Sequence, residues 1–136
     1  MTDDVMKAAD ELVAAFSDGR LEDYFDAFAP DATFVFHTTG NRIESVAEYR
    51  RIWSQWITDD AFQVLNCLSS DQLVQSWGDT AVFTHSVETD IRTHAGTETL
   101  HERETIVFRR EQDGRWLAVH EHLSPATPAG ASSGTA

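Results

Sequence analysis

The N-terminal part of the chain carries its apolar residues mainly at the spacing of an α-helix. A first helix is predicted from the aspartates at positions 3 and 4, which can cap it, to Gly19, which is placed to end it. A short second helix spans residues 21–28, and residues 31–38 have the pattern of a short strand. The third helix spans residues 45–56. The sequence therefore predicts that the helices come first.

The rest of the chain is strand-like. Residues 62–77 and 80–93 form long runs with strand-type composition, and each run is followed by a turn that contains glycine. The clearest pattern is in residues 104–125, where two apolar runs flank Asp113-Gly114. Because Asp-Gly tolerates the positive φ of a tight turn, this segment predicts a β-hairpin. Together the runs predict a curved antiparallel sheet.

Strand alternation assigns the side chains of the final hairpin to two faces. On the last strand, one face comprises Trp116, Ala118, His120, His122 and Ser124. The other face comprises Leu117, Val119, Glu121 and Leu123. On the penultimate strand, one face comprises Glu102, Glu104, Ile106 and Phe108. If these glutamates point into the protein, Glu121 on the neighbouring strand is expected to point inward with them.

Helices followed by a run of antiparallel strands predict an α+β domain in which the helices cover one face of the sheet. The 136 residues suit a single domain, which can bury about two-thirds of its unfolded surface. We assign residues 1–125 to this domain. Residues 126–136 contain no large apolar side chain and are expected to form a disordered tail.

Composition and charge exclude several classes of partner. The formal net charge of −13 repels phosphate backbones and argues against nucleic-acid binding. No apolar run approaches the ~18 residues of a membrane span, so no membrane partner is expected. Cys67 is the single cysteine, and the first residues lack the basic and apolar regions of a signal peptide. A cytoplasmic location is therefore expected.

Three segments resemble the nuclear transport factor 2-like superfamily. They are Phe28-Ala-Pro-Asp-Ala-Thr after a Gly-Arg-Leu turn, Gly78-Asp-Thr-Ala-Val, and Asp113-Gly-Arg-Trp-Leu-Ala-Val-His-Glu-His-Leu-Ser. The similarity covers residues 5–125 and is greatest to the SnoaL-like branch and to the association domain of calcium/calmodulin-dependent kinase II. It implies a cone-shaped, strongly curved antiparallel sheet wrapped around the N-terminal helices. It also implies a pocket inside the cone and a homodimer through the outer face of the sheet.

The same resemblance suggests individual site residues. Glu104 falls where ketosteroid isomerase, a member of the superfamily, places the carboxylic acid of its oxyanion hole. However, Phe36 stands where that enzyme has its aspartate base, and Leu12 stands where it has a helix tyrosine. Ile106 and Leu123 stand where the kinase association domain has pocket arginines. The resemblance therefore implies neither the isomerase mechanism nor the anion site of the kinase domain.

The residues themselves indicate acid–base chemistry. Several carboxyl groups in one partly apolar cavity cannot all ionise easily, so at least one of Glu102, Glu104 and Glu121 is expected to have a raised pKa. Glu104 and Glu121 are candidate catalytic residues, and Glu102 is a candidate ligand contact. The alternative is a structural role in ion pairs. Candidate partners for such pairs are Arg42, Arg50, Arg51, Arg92 and Arg103.

The histidines allow two interpretations. His37 ends the first strand in a polar neighbourhood and is a candidate catalytic residue, whereas His85 lies on an apolar face and is expected to be structural. His120 and His122 share ligand types with zinc sites. We favour a structural role for this pair at the dimer surface, with no metal and no cofactor in the protein.

Aromatic and aliphatic residues are the candidate ligand contacts, although a stripe at helical spacing is also typical of a core. The candidates are Phe34, Phe36, Tyr49, Trp53, Trp56, Ile106 and Leu123. These features favour a cofactor-independent isomerase, dehydratase or cyclase that acts on a small apolar carbonyl compound of polyketide type. The alternatives are a non-catalytic ligand-binding or dimerisation module and a metal enzyme that uses His120 and His122.

Overall fold

The computed structural model of the chain describes residues 2–127. The predicted disordered tail lies outside the described residues except for positions 126 and 127. Ala126 donates its backbone N–H to the carbonyl of His101 at 2.9 Å, so residue 126 is still held against the sheet. The elements are α1 (Thr2–Asp18), α2 (Leu21–Asp26), β1 (Phe28–Phe36), α3 (Val46–Asp60), β2 (Gln63–Trp77), β3 (Thr80–Thr93), β4 (Gly96–Arg110) and β5 (Trp116–Pro125).

The predicted α+β class is confirmed, and three element boundaries are corrected. The second helix ends at Asp26, and β1 begins at Phe28, three residues before the predicted start at position 31. The cause is pairing with β5, because Phe28 lies opposite Ala118 and the backbone N–H of Ala118 donates to Ala27. The third helix continues past position 56 to Asp60, where Ala61 ends it with a positive φ of 55°.

The sheet is mostly antiparallel and has the strand order β1-β5-β4-β3-β2. The predicted hairpins are confirmed: β2, β3, β4 and β5 pair antiparallel in sequence. The predicted antiparallel sheet is confirmed, with one parallel pair at its edge, where β1 pairs with β5. Pro30, which has no N–H to donate, lies in β1 where its pairing with β5 shifts register between Phe28 and Thr33.

The predicted faces of the last strand are wrong in one respect. Val107 pairs with His120 but Phe108 pairs with Ala118, so Val119 is an extra residue and β5 contains a bulge. As a result, Trp116 and Ala118 are buried on the same inner face as Glu121, and not on the face of His120 and His122. The predicted glutamate face of β4 does point inward.

The core lies between the helices and the inner face of the sheet. Phe34, Phe83, Ile106 and Phe108 are fully buried there, and Tyr24 from α2 packs among them. Among the described residues, no helix has both the length and the apolar composition needed to cross a membrane. The helices present one apolar face to the sheet and one polar face away from it. This is the arrangement predicted from the spacing of their apolar residues.

The N-cap of α3 can be tested by substitution. Ser45 is its N-cap and accepts a hydrogen bond from the backbone N–H of Glu48 at 3.1 Å. We expect Ser45→Ala to lower the free energy of unfolding by about 1 kcal/mol, because one N–H at the helix start loses its acceptor. The measurement is urea denaturation followed by circular dichroism.

Ser54→Ala is the matched control, because Ser54 is exposed in the interior of the same helix. Alanine has the higher helix propensity, so this change is expected to be neutral or slightly stabilising. Equal effects of the two substitutions would contradict the assignment of Ser45 as the cap.

Candidate functional site

A cavity of ≈ 270 Å³ lies between the three helices and the inner face of the sheet. Its size is near the lower end of small-molecule pockets, about 300–1,000 Å³. Exposed Thr38 and Asp60 are among its lining residues and mark its mouth. Its aromatic walls are formed by Phe16, Tyr24, Phe36, Tyr49, Trp53, Trp56 and Phe62. The sequence folds this way because α3 turns its apolar stripe toward the bent sheet.

Three glutamates supply the acidic wall of the cavity. Glu102 and Glu104 come from β4 and Glu121 from β5. Glu102 and Glu121 are 5% and 4% exposed, and the Glu104 side chain is 10% exposed. Burial of this degree is rare for glutamate unless the carboxyl group has a specific partner. Each of the three has one.

Glu104 and Glu121 lie diagonally opposite each other on β4 and β5 and both line the cavity, so their carboxyl groups can share a hydrogen bond. Such a bond requires a proton on one of the two groups. Burial raises the pKa of Glu104 to about 7, and burial together with the negative charge of Glu104 raises the pKa of Glu121 well above its ordinary value. Below neutral pH both groups are therefore protonated, and once Glu104 ionises near pH 7 the pair holds one proton, on Glu121.

His85 is the second partner of Glu104. Its Nε2 lies 2.6 Å from Glu104 Oε1, and its Nδ1 lies 2.6 Å from Ser69 Oγ. Burial lowers the pKa of His85 to about 4, so the ring is neutral at pH 7 and has a single N–H. An ionised Glu104 can only accept, so Nε2 carries the ring proton, and Nδ1 then accepts from the Ser69 hydroxyl, whose oxygen also accepts from Gln72 at 2.9 Å. The partners therefore place the ring proton on Nε2, directed at Glu104.

Tyr24 and Tyr49 extend the same hydrogen-bonded chain. Their hydroxyl groups lie 2.9 Å apart, and the Tyr24 hydroxyl donates to Glu121 Oε2 at 3.5 Å. Burial raises the pKa of both phenols, so both stay protonated. Tyr24 donates to Glu121, and the Glu104 carboxylate accepts from the protonated Glu121 and from His85 Nε2.

Glu102 has a different partner. His37 Nε2 lies 2.5 Å from Glu102 Oε2, and the His37 side chain is 29% exposed while that of Glu102 is 7% exposed. His37 belongs to the segment just after β1, next to Thr38 at the mouth of the cavity. The pair connects the outermost of the three glutamates to solvent.

The structure brings most of the predicted site residues together. The cavity is lined by Phe36, Tyr49, Trp53, Trp56, Leu123 and the three glutamates. Phe34 and Ile106 are fully buried in the core and are not part of the cavity wall. His37 reaches the site through Glu102.

The alternative in which arginines pair with the pocket glutamates is wrong. Arg42 pairs with Glu44, Arg50 with Glu22, and Arg51 with Glu48. Arg92 contacts Gln63, and Arg103 is exposed.

The sequence reasoning missed three parts of the site, namely His85 as a partner of a glutamate, Ser69 and Tyr24. A signal for His85 was present. Thr93 pairs with Gly96 across a two-residue turn, and this register places His85 directly opposite Glu104. Tyr24 carried no such signal, because α2 reaches the site only through tertiary packing. Ser69 was hidden by the register shift between Ser70 and Leu73, which departs from the register that the Gly78-Asp79 turn sets.

The outer face of the sheet carries the histidine pair. The rings of His120 and His122 lie 6.0 Å apart, and His120 Nδ1 is 2.8 Å from the Thr33 hydroxyl oxygen. Within residues 2–127, no group of three or more histidine, cysteine, aspartate or glutamate side chains is arranged to hold a metal ion. Cys67 lines the cavity, and burial raises its pKa to about 11, so its thiol stays protonated.

Comparison with known proteins identifies a family and a fold. A family model described as a SnoaL-like domain matches residues 5–128, whereas no curated protein matches the chain. The CaMKII hub of S. rosetta is 24% identical, with a TM-score of 0.74 over 92% of this chain and 96% of that chain. An NTF2-like protein of unknown function in nutrient uptake from Rhodospirillum rubrum is 23% identical, with a TM-score of 0.77 over 91% and 99%.

A third solved structure is a ketosteroid isomerase-like protein from Erwinia carotovora atroseptica. It is 15% identical, with a TM-score of 0.74 over 93% of this chain and 97% of that chain. At these identities the likeness establishes the fold alone. The expected α+β fold of this superfamily is therefore confirmed.

The carboxyl pair makes stability depend on pH in a defined direction. The pKa of Glu104 is about 7 in the folded protein and about 4.3 in an unfolded chain. Ionisation therefore favours the unfolded state between these values, and stability is lost as pH rises from about 4.5 to 7. We expect Glu104→Gln to raise the free energy of unfolding at pH 8 by about 1–3 kcal/mol, with a gain that vanishes toward pH 4.5.

The measurement is urea denaturation at pH 4.5, 6 and 8. Glutamine can keep both hydrogen bonds of Glu104 while it removes the charge. Glu11→Gln makes the same charge change at an exposed position of α1 and should show no such gain. Parallel pH profiles of the wild type and Glu104→Gln would show that Glu104 ionises normally.

Proposed function

The chain belongs to the SnoaL-like family, and from this premise we propose that it is a cofactor-independent proton-transfer enzyme. Its substrate class is a small apolar carbonyl compound, of polyketide type, held in the cavity. The reaction is an isomerisation, dehydration or cyclisation. Glu104 and Glu121 are the proposed catalytic residues, and the aromatic walls are the proposed binding surface.

One observation carries the proposal, the pair of carboxyl groups of Glu104 and Glu121 buried in the wall of the cavity. An enzyme that moves protons next to a carbonyl group needs a base and an acid within reach of one substrate. Because the pKa of Glu104 is about 7, a large fraction of this carboxyl group is ionised at physiological pH and can accept a proton as a base. Glu121, with the higher pKa, supplies the acid. The apolar surroundings strengthen both interactions because water is largely excluded.

The proton movements can be written without any cofactor. Glu104 takes a proton from the carbon next to the carbonyl group, and the C–H electrons form the carbon–carbon double bond of an enol. The carbonyl oxygen receives a hydrogen bond or a proton from Glu121. Return of a proton to a different carbon completes an isomerisation, departure of a β-hydroxyl as water completes a dehydration, and attack on a second carbonyl closes a ring. Each outcome restores the single proton of the pair.

The neighbouring groups have supporting roles in this proposal. His85 orients Glu104 through its Nε2 proton, and Tyr24 orients Glu121. His37, paired with Glu102 at the mouth, is the proposed route by which protons exchange with solvent. Tyr49, Trp53 and Trp56 are the proposed contacts for the flat body of the substrate.

The alternative is a module that binds a ligand in the same cavity without converting it. This alternative is supported by the absence of the isomerase base, since Phe36 occupies that position and closes part of the cavity wall. A binding module needs the same aromatic walls but does not need an ionisable Glu104.

We also propose that the protein forms a homodimer through the outer face of the sheet. Trp77 and Leu73 are 61% and 54% exposed and belong to the outer face of β2, where Trp77 pairs with Thr80 and Leu73 with Thr84. Large apolar side chains that are exposed together on a sheet mark an interaction surface. The likeness to a CaMKII hub supports assembly of this kind.

The catalytic proposal predicts exchange of acidic C–H protons. With 2-tetralone in D₂O, we expect the wild type to accelerate exchange of the protons next to the carbonyl group, and the rate to rise as pH passes through about 7 because Glu104 must be ionised. Glu104→Gln should reduce the catalysed rate by about 10²-fold or more. The measurement is one-dimensional proton NMR over time.

Glu11→Gln is the control for charge and is expected to exchange at the wild-type rate. Ligand binding without catalysed exchange would favour the binding module. Equal rates in the wild type and in Glu104→Gln would rule out Glu104 as the base.

The assembly proposal predicts that removal of the exposed apolar groups dissociates the dimer. The double variant Leu73→Ser/Trp77→Ser should run as a monomer of half the wild-type mass in size-exclusion chromatography with light scattering. Ile57→Ser is the control, because Ile57 is also exposed, at 46%, but lies on α3. A monomeric wild type, or a double variant that remains dimeric, would refute this interface.

A further inference from the structure

The charged groups that line the cavity are all acidic. Its carboxyl oxygens belong to Glu102, Glu104, Glu121 and the rim residue Asp60. Among the residues that the structure describes, no lysine or arginine lines the cavity. The two nearby imidazoles already serve carboxyl groups, His37 that of Glu102 and His85 that of Glu104. A negatively charged ligand would therefore find no cationic partner in this cavity.

The guanidinium groups that could have balanced this charge lie elsewhere. Arg50 pairs with Glu22 and covers the ring of Phe25, and Arg110 pairs with Asp79 and lies over the ring of Trp116. These pairs are on the outside of the molecule. The chain therefore keeps its cations on the surface and encloses carboxyl groups in the pocket.

The walls of the cavity complement the same charge. Trp53 and Trp56 have ring centroids 5.7 Å apart with planes inclined at 51°, and Tyr49 lies 5.8 Å from Trp53. Aromatic faces attract cations through the negative potential above the ring, and tryptophan does so most strongly. Carboxylates backed by several aromatic rings are the combination that recognises an ammonium group on an apolar body.

We propose that the ligand of this cavity is a small organic cation, an apolar ring compound that bears one basic nitrogen. The ammonium group lies at Glu104 and Glu121, and the ring body packs against Trp53 and Trp56. This inference rests on the proposed function in using the same cavity, and it deepens the ligand-binding alternative, because an ammonium group held by Glu104 and Glu121 occupies the two proposed catalytic carboxyl groups.

Binding of a cation must change the number of protons that Glu104 and Glu121 hold. A positive charge beside Glu104 favours its ionised form, so the ligand displaces protons from the carboxyl pair. Affinity therefore increases as pH rises through neutrality. A neutral ligand that accepts a hydrogen bond from the protonated pair shows the opposite trend.

Several other groups face the cavity or its carboxyl pair and enter this linkage. His85 is neutral above a pKa of about 4, and the buried phenols and thiol stay protonated. The groups are Asp10 on α1, Tyr24 on α2, Tyr49 and Asp60 on α3, Cys67 on β2, His85 on β3, Glu102 on β4 and His37 after β1.

The test uses three probes with the same phenyl ring and chain but different charge. They are 2-phenylethylammonium, 2-phenylethanol and 3-phenylpropanoate. Affinity is measured by isothermal titration calorimetry at pH 6 and pH 8, in buffers with different ionisation enthalpies so that proton release is counted. The ammonium compound, whose pKa is near that of lysine at about 10, stays protonated throughout.

We expect the cation to bind about 10-fold or more tightly than the alcohol at pH 8, and the anion to bind most weakly. We also expect its affinity to rise severalfold from pH 6 to pH 8, with net release of protons. Glu104→Gln and, separately, Glu121→Gln should remove most of the preference for the cation. Equal or tighter binding of the alcohol or the propanoate would overturn the inference.

The net charge of −13 requires a control for attraction to the surface. Glu11→Gln removes one exposed charge and should leave affinity unchanged at 0.15 M salt, where surface attraction is screened within about 8 Å. Equal weakening in this variant and in Glu104→Gln would place the cation on the surface and refute the site.

The outcomes also separate this inference from the proposed function. If 2-phenylethanol is preferred while 2-tetralone exchange continues, the cation inference fails and the enzyme proposal stands. If no probe binds and no exchange is catalysed, both fail.

Discussion

Strand β5 directs side chains at both even and odd positions to the inner face of the sheet, which a regular strand cannot do. Trp116 and Ala118 are buried in the core at its start, and Glu121 enters the cavity further along. Because side chains alternate, residues at even and odd positions of an unbroken strand face opposite sides. The extra residue Val119 resolves this conflict by shifting the register against β4. Without this bulge, a strand that buries Trp116 and Ala118 would turn Glu121 out of the cavity, and the carboxyl pair would not form. A strand that keeps Glu121 in the cavity would instead remove Trp116 and Ala118 from the core.

The buried carboxyl pair has an energetic consequence for the whole domain. Enclosing ionisable groups in an apolar cavity costs free energy unless they are neutralised or hydrogen-bonded. Here the cost is reduced by one shared proton and by donors from His85 and Tyr24. A cavity filled by apolar side chains would be more stable, as is usual where function and stability conflict. The cost of burying these carboxyl groups therefore supports the proposal that the pocket binds a ligand.

Within its superfamily the chain combines a shared fold with an altered pocket. The positions at which the resemblance implies an aspartate base and pocket arginines hold Phe36, Ile106 and Leu123. Phe36 and Leu123 line the cavity, and Ile106 lies in the core. The buried carboxyl groups of the cavity are those of the glutamates of β4 and β5. Because a fold does not specify chemistry, the function must be argued from this constellation and not from the relatives.

The sequence by itself determined the local structure. Helical spacing, the Ser45 cap and the Asp113-Gly114 turn each act through neighbours in the chain, and so α1, α3 and the final hairpin were predictable. Alternation alone placed Glu102 and Glu104 on one face of β4, and the tertiary structure decided that this face points inward. The turn between Thr93 and Gly96 even contained the register that sets His85 opposite Glu104.

The tertiary structure alone decided the parallel pairing of β1 with β5, the bulge at Val119 and the approach of Tyr24 to Glu121. The pKa of Glu104 likewise depends on the burial of the assembled cavity. These features join residues far apart in the chain, and their energies depend on packing and desolvation. Periodicity within one segment carries no information about either, because both arise only when the segments close around a common interior.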